Sequence, residues 1–511
     1  MASRSAESNR AAAWGIGIAI AAVVASGLVW WATATWGPGL SPDAIAYSAI
    51  AERIRDHGEI GYWLEPRSSS WPPLFPVVLA VVSTVLGSSV VDAGRVVNSL
   101  LAGATVVVVA ALAVRLLRSN WLRGLAIVVA VMAQPIVFVS VKVWSEPLFN
   151  LLLLLTMLVL AGVPGRRPVV RLLGASMLAM AAFSTRYAGL ALIPAGVAVL
   201  ALWPRQRPWS ARLAHAAWFG GPAAVAAGGL LLWNRWRTGA AFGPRWRPHE
   251  PFWHHAADGL GAMGQWLLPS NSARALTIGF GVLLLGVVGW ALVSSWRAPP
   301  SAAIGVAPVL AVFAACYFAY MVYARTTSGF DPLNSRLMLP IFVPALLLVL
   351  LGIDQLAARS HDVARTLLLA LPLLLVIPGM FRGLDTLRIS HDAGNEYTNG
   401  AVRSFVASPV LQQVPEGCEV ISNDPWLLWL AGIEAQLSPE SDRQVAIPVS
   451  MRLDELAPLA SDHEVCLVWL DTGSTVFYRP EDLAGVVSLE QVAGDGFTTV
   501  YQLGPLAAGH S

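Results

Sequence analysis

The segment GPGLSPDAIAYSAIAERI, residues 37–54, follows the first apolar run of the chain and is the key to interpreting the rest. Serine is a favoured N-cap residue and proline fits the first helical turn, so Ser41 and Pro42 predict a short helix that begins here. An acid in the first turn stabilises the helix dipole, which is one explanation for Asp43. A role in chemistry is the other, and it depends on what the remaining sequence places nearby.

The composition is that of a membrane protein. Of the 511 residues, 56% are hydrophobic and 13% are charged, which is too apolar for a soluble globular protein. The net charge of +2 is unevenly divided, because residues 385–511 contain 18 acids and five arginines whereas residues 1–384 contain 28 basic and 13 acidic residues. We therefore expect an α-helical polytopic membrane module over residues 1–384 and a small α/β extracytoplasmic domain over residues 385–511.

Twelve apolar windows are visible, and one of them is not expected to cross the bilayer. The arginine-rich connections RLLRSNWLR, GRRPVVR, PRQRPWSAR, WRAPP and ARSHDVAR belong in the cytoplasm by the positive-inside rule, as does the N-terminus. This orientation requires that one early window stay at the outer interface, and window 72–90, which begins WPPLFP and lacks a basic flank, fits best. About eleven spans remain, the first being an uncleaved anchor rather than a cleaved signal peptide: 11–34, 94–117, 123–141, 146–162, 170–184, 187–203, 213–234, 273–296, 302–323, 337–357 and 363–381.

This topology gathers ionisable residues on the outer face of a plasma-membrane protein whose C-terminal domain is extracytoplasmic. Among those in the outer connections are Asp43, Lys142, Glu146, Arg186, Asp331 and Arg336. Lys142 is the only lysine in the chain. Because ionisable groups near membrane depth are energetically costly, this convergence predicts a functional site.

Three outer stretches carry the strongest patterns. In SPDAIAY, Asp43 and Tyr47 are four residues apart on one helix face. In VKVWSEPLF, residues 141–149, Lys142 and Glu146 bracket the turn into a new span. In DPLNSRLMLPIFVP, residues 331–344, an Asn-Ser pair is expected to cap a span with an arginine in its first turn.

Each pattern also has a structural explanation. In this explanation, Glu146 would be an ordinary acid at a helix start, with Lys142 as its ion-pair partner. In the same way, Arg336 would reach lipid headgroups by snorkelling, and Arg186 would anchor a short loop. The case for a site therefore depends on these residues sharing one side of the membrane.

The acidic tail is predicted to contain buried strands in GCEVISN and EVCLVWL, helices in PWLLWLAG and MRLDELAPLA, and a last strand in FTTVYQL. Cys418 and Cys466 lie mid-strand among apolar residues, so we expect free buried thiols rather than a disulfide, although the compartment is oxidising. HEPFWHH, residues 249–255, is too irregular in spacing to predict a zinc site.

These stretches resemble the GT-C superfamily of integral membrane glycosyltransferases, and more narrowly its bacterial members related to protein mannosyltransferases and the lipid A aminoarabinose transferase. The resemblance covers nearly the whole chain and rests on SPDAIAY, PPLFP, SEPLF, NSRLMLP and VISNDPWLLWLAG. It implies transfer of a sugar from a polyprenyl-phosphate donor to an envelope glycan, lipid or protein acceptor. Nucleic acid is not an expected partner.

The resemblance also implies roles for the site residues. Asp43 would be the base that takes the acceptor proton, and Arg336 would hold the leaving phosphate, with Lys142 and Arg186 assisting. Glu146 would orient the lysine or sugar hydroxyls, and Tyr47 would contact substrate. A single carboxylate suffices for an inverting displacement.

The chain departs from the family pattern in several places. Asp43 has no neighbouring acid, there is no D-x-D in the second outer loop, and Leu337 stands where an aromatic is frequent. A divalent metal is therefore not indicated, and the absence of W-W-D-Y-G excludes the oligosaccharyltransferase branch. A transporter or lipid flippase and a non-catalytic envelope assembly protein are the alternatives. The aromatics of the outer loops stack on sugar or lie in the interfacial belt: Trp63, Trp71, Trp246 and Trp253.

Overall fold

The computed structural model describes residues 2–163, 167–243, 245, 248–269, 271–299, 301, 303–441, 450–473 and 476–506, with side chains from residue 12 onward. Helices dominate up to residue 392. They are α1 (Ala2–Ala32), α2 (Pro42–His57), α3 (Leu74–Leu86), α4 (Val90–Leu116), α5 (Asn120–Met132), α6 (Gln134–Ser140), α7 (Glu146–Leu160), α8 (Pro168–Thr185), α9 (Leu192–Leu202, preceded by a 3-10 turn, Tyr187–Ala191), α10 (Trp209–Thr238), α11 (Phe252–Gly264), α12 (Arg274–Arg297), α13 (Val306–Thr327), α14 (Ser335–Ala357) and α15 (Asp362–Asp392).

Within the described residues, nine helical segments are long and apolar enough to span a bilayer. They are α1 from Ala12, α4, α5 with α6, α8, α10, α12, α13, α14 and α15. Three shorter apolar helices are also present, namely α3, α7 and α9 with its preceding 3-10 turn, and the predicted number of about eleven spans stays a prediction. The prediction of a polytopic α-helical membrane protein is confirmed.

Helix α2 forms where its sequence predicts. The Ser41 hydroxyl accepts a hydrogen bond from the Ala44 N–H at 3.3 Å, Pro42 occupies the first turn, and Gly58 ends the helix in the left-handed conformation at φ 70°. The following α3 has 13 residues, so it is about 20 Å long and shorter than the roughly 30 Å hydrocarbon core. This length agrees with an interfacial placement of window 72–90.

Window 123–141 differs from the prediction, because it holds two helices instead of one. Helix α5 ends at Met132, Ala133 is extended, and α6 restarts with Pro135 in its first turn. Pro135 has no N–H to donate to the carbonyl four residues earlier, and its ring would clash with that carbonyl in a continuous helix, which explains the break.

Helix α15 continues to Asp392, past the predicted domain boundary at residues 384 and 385, and the division into two domains stays a prediction. The tail then forms a five-stranded sheet in the order β2-β1-β3-β5-β4. Its elements are α16 (Gly400–Val406), a 3-10 turn (Leu411–Gln413), β1 (Glu419–Ser422), α17 (Pro425–Trp429), β2 (Gln436–Leu437), α18 (Leu453–Asp462), β3 (Val465–Leu470), α19 (Pro480–Leu483), β4 (Ser488–Gly494) and β5 (Thr498–Gly504).

Strands β2, β1 and β3 are parallel, whereas β5 is antiparallel to both β3 and β4. The predicted strands in GCEVISN, EVCLVWL and FTTVYQL are present as β1, β3 and β5. The sequence interpretation missed β2 and β4. Strand β4 is mostly exposed and so lacks an apolar run.

The expectation of free thiols in the tail is wrong. Cys418 and Cys466 form a disulfide with a Cα–Cα distance of 5.9 Å. Val420 pairs with Cys466 across the neighbouring strands β1 and β3, which brings Cys418 within reach. Strand adjacency in a parallel pair is a long-range property, so the local sequence did not reveal it.

Maleimide labelling tests this pairing. The denatured, non-reduced protein should take up one maleimide, on Cys316, and the reduced protein three, because the chain has three cysteines and two are joined. Cys316→Ser is the control and should take up none before reduction. Uptake of three maleimides by the wild-type protein without reduction, measured by intact mass, would contradict the pairing.

Candidate active site

Three chain segments meet at the entrance to α2. The Gly39 N–H donates to the Val141 carbonyl at 2.8 Å, and the Val143 N–H donates to the Gly39 carbonyl at 3.1 Å. On the other side, the Tyr397 N–H donates to the Leu40 carbonyl at 2.9 Å. The first outer loop is therefore held between the second loop and the beginning of the tail.

Glycine is required at position 39 because the backbones approach closely. A Cβ there would lie 2.9 Å from the Lys142 Cγ and 2.9 Å from the Asn395 Cβ. Any larger residue would push these segments apart. The two loops that supply the charged residues are thus in direct contact.

Arg336 is the centre of the charged cluster. Its Nη2 donates to Asp43 Oδ2 and its Nε donates to Glu146 Oε1, so one guanidinium joins two carboxylates. Its guanidinium also lies over the Trp144 ring, 3.9 Å from the centroid. Asn334 caps α14 by accepting from the Leu337 N–H at 3.1 Å, as predicted, which places Arg336 in the first turn.

Glu146 is shared by two arginines. Its Oε1 also lies 2.7 Å from Arg186 Nη1, and its side chain is only 3% exposed. Arg186 Nη1 donates to Ser145 Oγ at 3.1 Å, and Ser145 Oγ lies 2.9 Å from the Tyr47 hydroxyl. Burial raises the pKa of Tyr47 to about 12, so at neutral pH its phenol is protonated and does not act as a base.

Lys142 has a partner that the sequence interpretation did not find. The alternative in which Lys142 pairs with Glu146 is wrong, because its ammonium contacts the Glu396 carboxylate from the start of the tail. The Lys142 side chain is 1% exposed and lies 4.2 Å from the Trp144 ring centroid. Burial lowers the pKa of Lys142, and the neighbouring Glu396 charge opposes that shift.

Glu396 is held in an unusual backbone conformation, with φ at 51°. A non-glycine residue in the left-handed region costs free energy, and the surrounding contacts must therefore stabilise it. Its side chain also lines the cavity described next. Glu396 thus belongs to the site, although it lies 254 residues from Lys142 in sequence.

A cavity of about 530 Å³ opens over this cluster. Of the predicted site residues only Asp43 and Arg336 line it, joined by Asp331, whose carboxylate is 3.9 Å from Arg336 Nη1. The other four predicted site residues do not line the cavity and lie behind its wall, which Asp43 and Arg336 help to form: Tyr47, Lys142, Glu146 and Arg186. The remaining lining residues are Ser41, Pro42, Gln134, Phe138, Trp144, Gln265, Asn334, Ser335 and Glu396.

The outer-loop aromatics have different surroundings. Trp63 stacks against Trp429 at 6.1 Å and donates its indole N–H to the Ala435 carbonyl at 3.0 Å. Trp71 packs edge-on against Tyr47 at 5.0 Å. Trp253 is 78% exposed, and Trp246 lies outside the described residues.

Metal-binding geometry is not found in the described part of the chain, since no group of three or more His, Cys, Asp or Glu side chains there is arranged to hold an ion. Asp43 and Glu146 both contact Arg336 instead. His254 lies 3.5 Å from Asp258, four residues along the same helix.

Sequence reasoning missed three participants in the site. Trp144 and Ser145 lie inside the quoted VKVWSEPLF stretch, and the aromatic next to a lone lysine was an available signal. Glu396 had no local signal, because its role depends on the tail folding back onto the membrane module.

No protein-family model and no curated protein matches the sequence. Solved structures do match the fold. ArnT from Cupriavidus metallidurans bound to undecaprenyl phosphate is 17% identical, with a TM-score of 0.59, over 95% of this chain and 98% of that chain. An Archaeoglobus fulgidus oligosaccharyltransferase is 10% identical, with a TM-score of 0.56, over 95% of this chain and 72% of that chain.

The arabinofuranosyltransferase AftD from Mycobacteria is 14% identical, with a TM-score of 0.53, over 95% of this chain and 40% of that chain. All three structural neighbours have the GT-C architecture. The chain therefore has the GT-C fold, as predicted.

Substituting the two carboxylates that contact Arg336 should destabilise the protein unequally. Glu146→Gln should lower the free energy of unfolding by about 3–5 kcal/mol, because it leaves two buried arginines sharing no carboxylate. Asp43→Asn should cost about 1 kcal/mol or less, since the Asp43 side chain is 25% exposed. Denaturant titration of the purified protein measures both, and an equal or reversed order would contradict the central position of Glu146.

Proposed function

We propose that this protein is a membrane glycosyltransferase that moves a sugar from a polyprenyl-phosphate donor to an envelope glycan, lipid or protein acceptor on the outer face, with inversion at the anomeric carbon. The observation that carries the proposal is the contact between Asp43 and Arg336 at the wall of one cavity. A base and a phosphate-binding cation are the two groups that this chemistry requires.

The cations of the resting site are all paired with carboxylates, and Asp331, 3.9 Å from Arg336 Nη1, adds one further carboxylate. Asp43 and Glu146 are matched by Arg336 and Arg186, and Lys142 is matched by Glu396. A donor phosphate that enters the cavity must therefore compete with a carboxylate for a guanidinium. Arg336 is the cation that it would meet, because Arg336 lines the cavity and Arg186 lies behind it.

Donor binding would then prepare the base. When a phosphate oxygen takes the Nη2 of Arg336, the Asp43 carboxylate is released from that contact and is free to accept a proton. The Nε contact to the buried Glu146 remains and holds the guanidinium plane in place. Arginine is suited to this exchange because its planar fork binds carboxylate and phosphate in the same way.

The reaction balances with these residues. The acceptor oxygen forms a bond to the anomeric carbon, the bond between that carbon and the phosphate oxygen breaks, and the acceptor proton moves to Asp43. The electron pair leaves with the polyprenyl phosphate, whose additional negative charge is stabilised by Arg336. Asp43 is the catalytic residue in this scheme.

The residues behind the cavity wall would position Asp43 and Arg336. Glu146, with Arg186 and Ser145 behind it, fixes the orientation of Arg336, and Tyr47 extends the hydrogen-bonded chain. Lys142 and the Trp144 ring face each other at the cavity margin, where Glu396 is accessible. We propose that Tyr47, Lys142, Glu146 and Arg186 act on substrate through these contacts.

An apolar groove next to the cavity fits a polyprenyl chain. It has a volume of about 310 Å³ and is lined by apolar side chains of α5, α12, α14 and α15. Trp266 lines this groove and donates its indole N–H at 3.0 Å to Ser335, which lines the charged cavity beside Arg336. The groove and the phosphate site therefore share a boundary, as a lipid phosphate requires.

Asp43→Asn tests the base. Sugar transfer should fall by about 10²–10⁴-fold, the range that general base catalysis contributes, whereas donor binding should persist. Asp92→Asn is the matched control, because Asp92 also occupies the first turn of a helix, is exposed and lies outside the cavity lining. The assay follows label from a polyprenyl-phosphate sugar into membrane acceptors.

Two results would decide against the proposal. If Asp43→Asn transfers sugar as well as Asp92→Asn does, Asp43 is only an acid at a helix start. If the wild-type protein binds polyprenyl phosphate but transfers no sugar to any envelope fraction, the cavity serves transport or assembly instead.

Arg336→Lys tests the phosphate exchange. A lysine keeps the charge but cannot bridge Asp43 and Glu146 while binding phosphate, so kcat/KM should fall by about 10²–10³-fold. Binding of polyprenyl phosphate to the detergent-solubilised variant should weaken in parallel. Normal binding and activity would contradict the assignment of Arg336.

A further inference from the structure

A second, larger cleft lies at the opposite end of the helix bundle. It has a volume of about 1310 Å³ and is formed by α12, α13, α14, α15 and the end of α4. Helix α14 has 23 residues and runs from Arg336 at the charged cavity to this cleft. At about 1.5 Å per residue, the rim of the cleft at Arg359 is about 35 Å from Arg336 along the helix.

Three arginines line this cleft without a partner. Arg118, Arg297 and Arg359 are exposed, and within the described residues their guanidinium groups make no hydrogen bond or ion pair. The acid in the lining, Asp354, accepts hydrogen bonds from the backbone N–H of Arg118 at 2.6 Å and of Ser119 at 3.3 Å. Asp354 therefore caps the start of α5 rather than pairing with a guanidinium.

The walls of the cleft are apolar. Val287, Val349, Leu371 and Leu375 line it and also line the apolar groove near the charged cavity, and Trp290 stands beside them. The cleft thus combines a cationic rim with a hydrocarbon-like interior between membrane helices. That combination matches an amphipathic anion rather than a soluble one.

We propose that this cleft binds an anionic phospholipid of the bilayer. The three guanidinium groups take the phosphate oxygens, and the acyl chains lie along the apolar wall between α12, α14 and α15. Basic pockets between membrane helices recognise anionic headgroups, each cation near the surface adding attraction. No residue of the charged cavity takes part, so the headgroup site is separate from the proposed site of sugar transfer. The acyl chains share only the apolar wall of Val287, Val349, Leu371 and Leu375 with the groove proposed for the polyprenyl chain.

Native mass spectrometry tests this assignment on the full-length protein in detergent, with phosphatidylglycerol and phosphatidylcholine of identical acyl chains as probes. The wild-type protein should retain phosphatidylglycerol preferentially. Arg297→Gln with Arg359→Gln should weaken that retention by about tenfold or more. Arg297→Lys with Arg359→Lys should preserve most of it, because the charge remains.

The control is Arg171→Gln with Arg365→Gln, which removes the same charge from exposed arginines outside the cleft lining. It should bind phosphatidylglycerol as the wild-type protein does. Equal loss in the control, or no preference of the wild-type protein for phosphatidylglycerol, would overturn the proposal. Full displacement by equimolar inorganic phosphate would overturn it too, in favour of a simple anion site.

Discussion

The contact of one guanidinium with two carboxylates organises the end of the molecule that holds the charged cavity. Arg336 lies 293 residues from Asp43 and 190 residues from Glu146, yet its side chain touches both. A buried arginine needs full charge compensation, so the first outer loop, the start of α7 and the start of α14 must converge. The cavity forms where these segments meet, and Arg336 is paired with both carboxylates at its wall.

Local chemistry accounts for what the sequence predicted well. The capping of α2 by Ser41 and of α14 by Asn334 depends on neighbours three residues away, so residue type alone predicts it. The meeting of Asp43 with Arg336 was predicted through topology, because arginine-rich connections on one side leave the remaining loops on the other. The long membrane helices were also predictable, since the length of a span follows from bilayer thickness.

Contacts between distant segments explain what the sequence did not predict. The structural alternative paired Lys142 with Glu146, which is near in sequence, but a carboxylate from the tail reaches it instead. The disulfide between Cys418 and Cys466 depends on which two strands are neighbours, and periodicity does not encode neighbours. Strand β4 was missed because its exposed face carries polar residues, so no apolar pattern marks it.

The position of Glu396 has a consequence for how the protein is made. Among the described residues, the ion-pair partner of the buried Lys142 ammonium is Glu396, in a segment that leaves the ribosome after the last membrane helix. Until residues 395–397 have been synthesised and have folded back, an inserted intermediate carries an uncompensated cation at the rim of its cavity. The charge pairing of this pocket is therefore completed only after the last membrane helix has been synthesised.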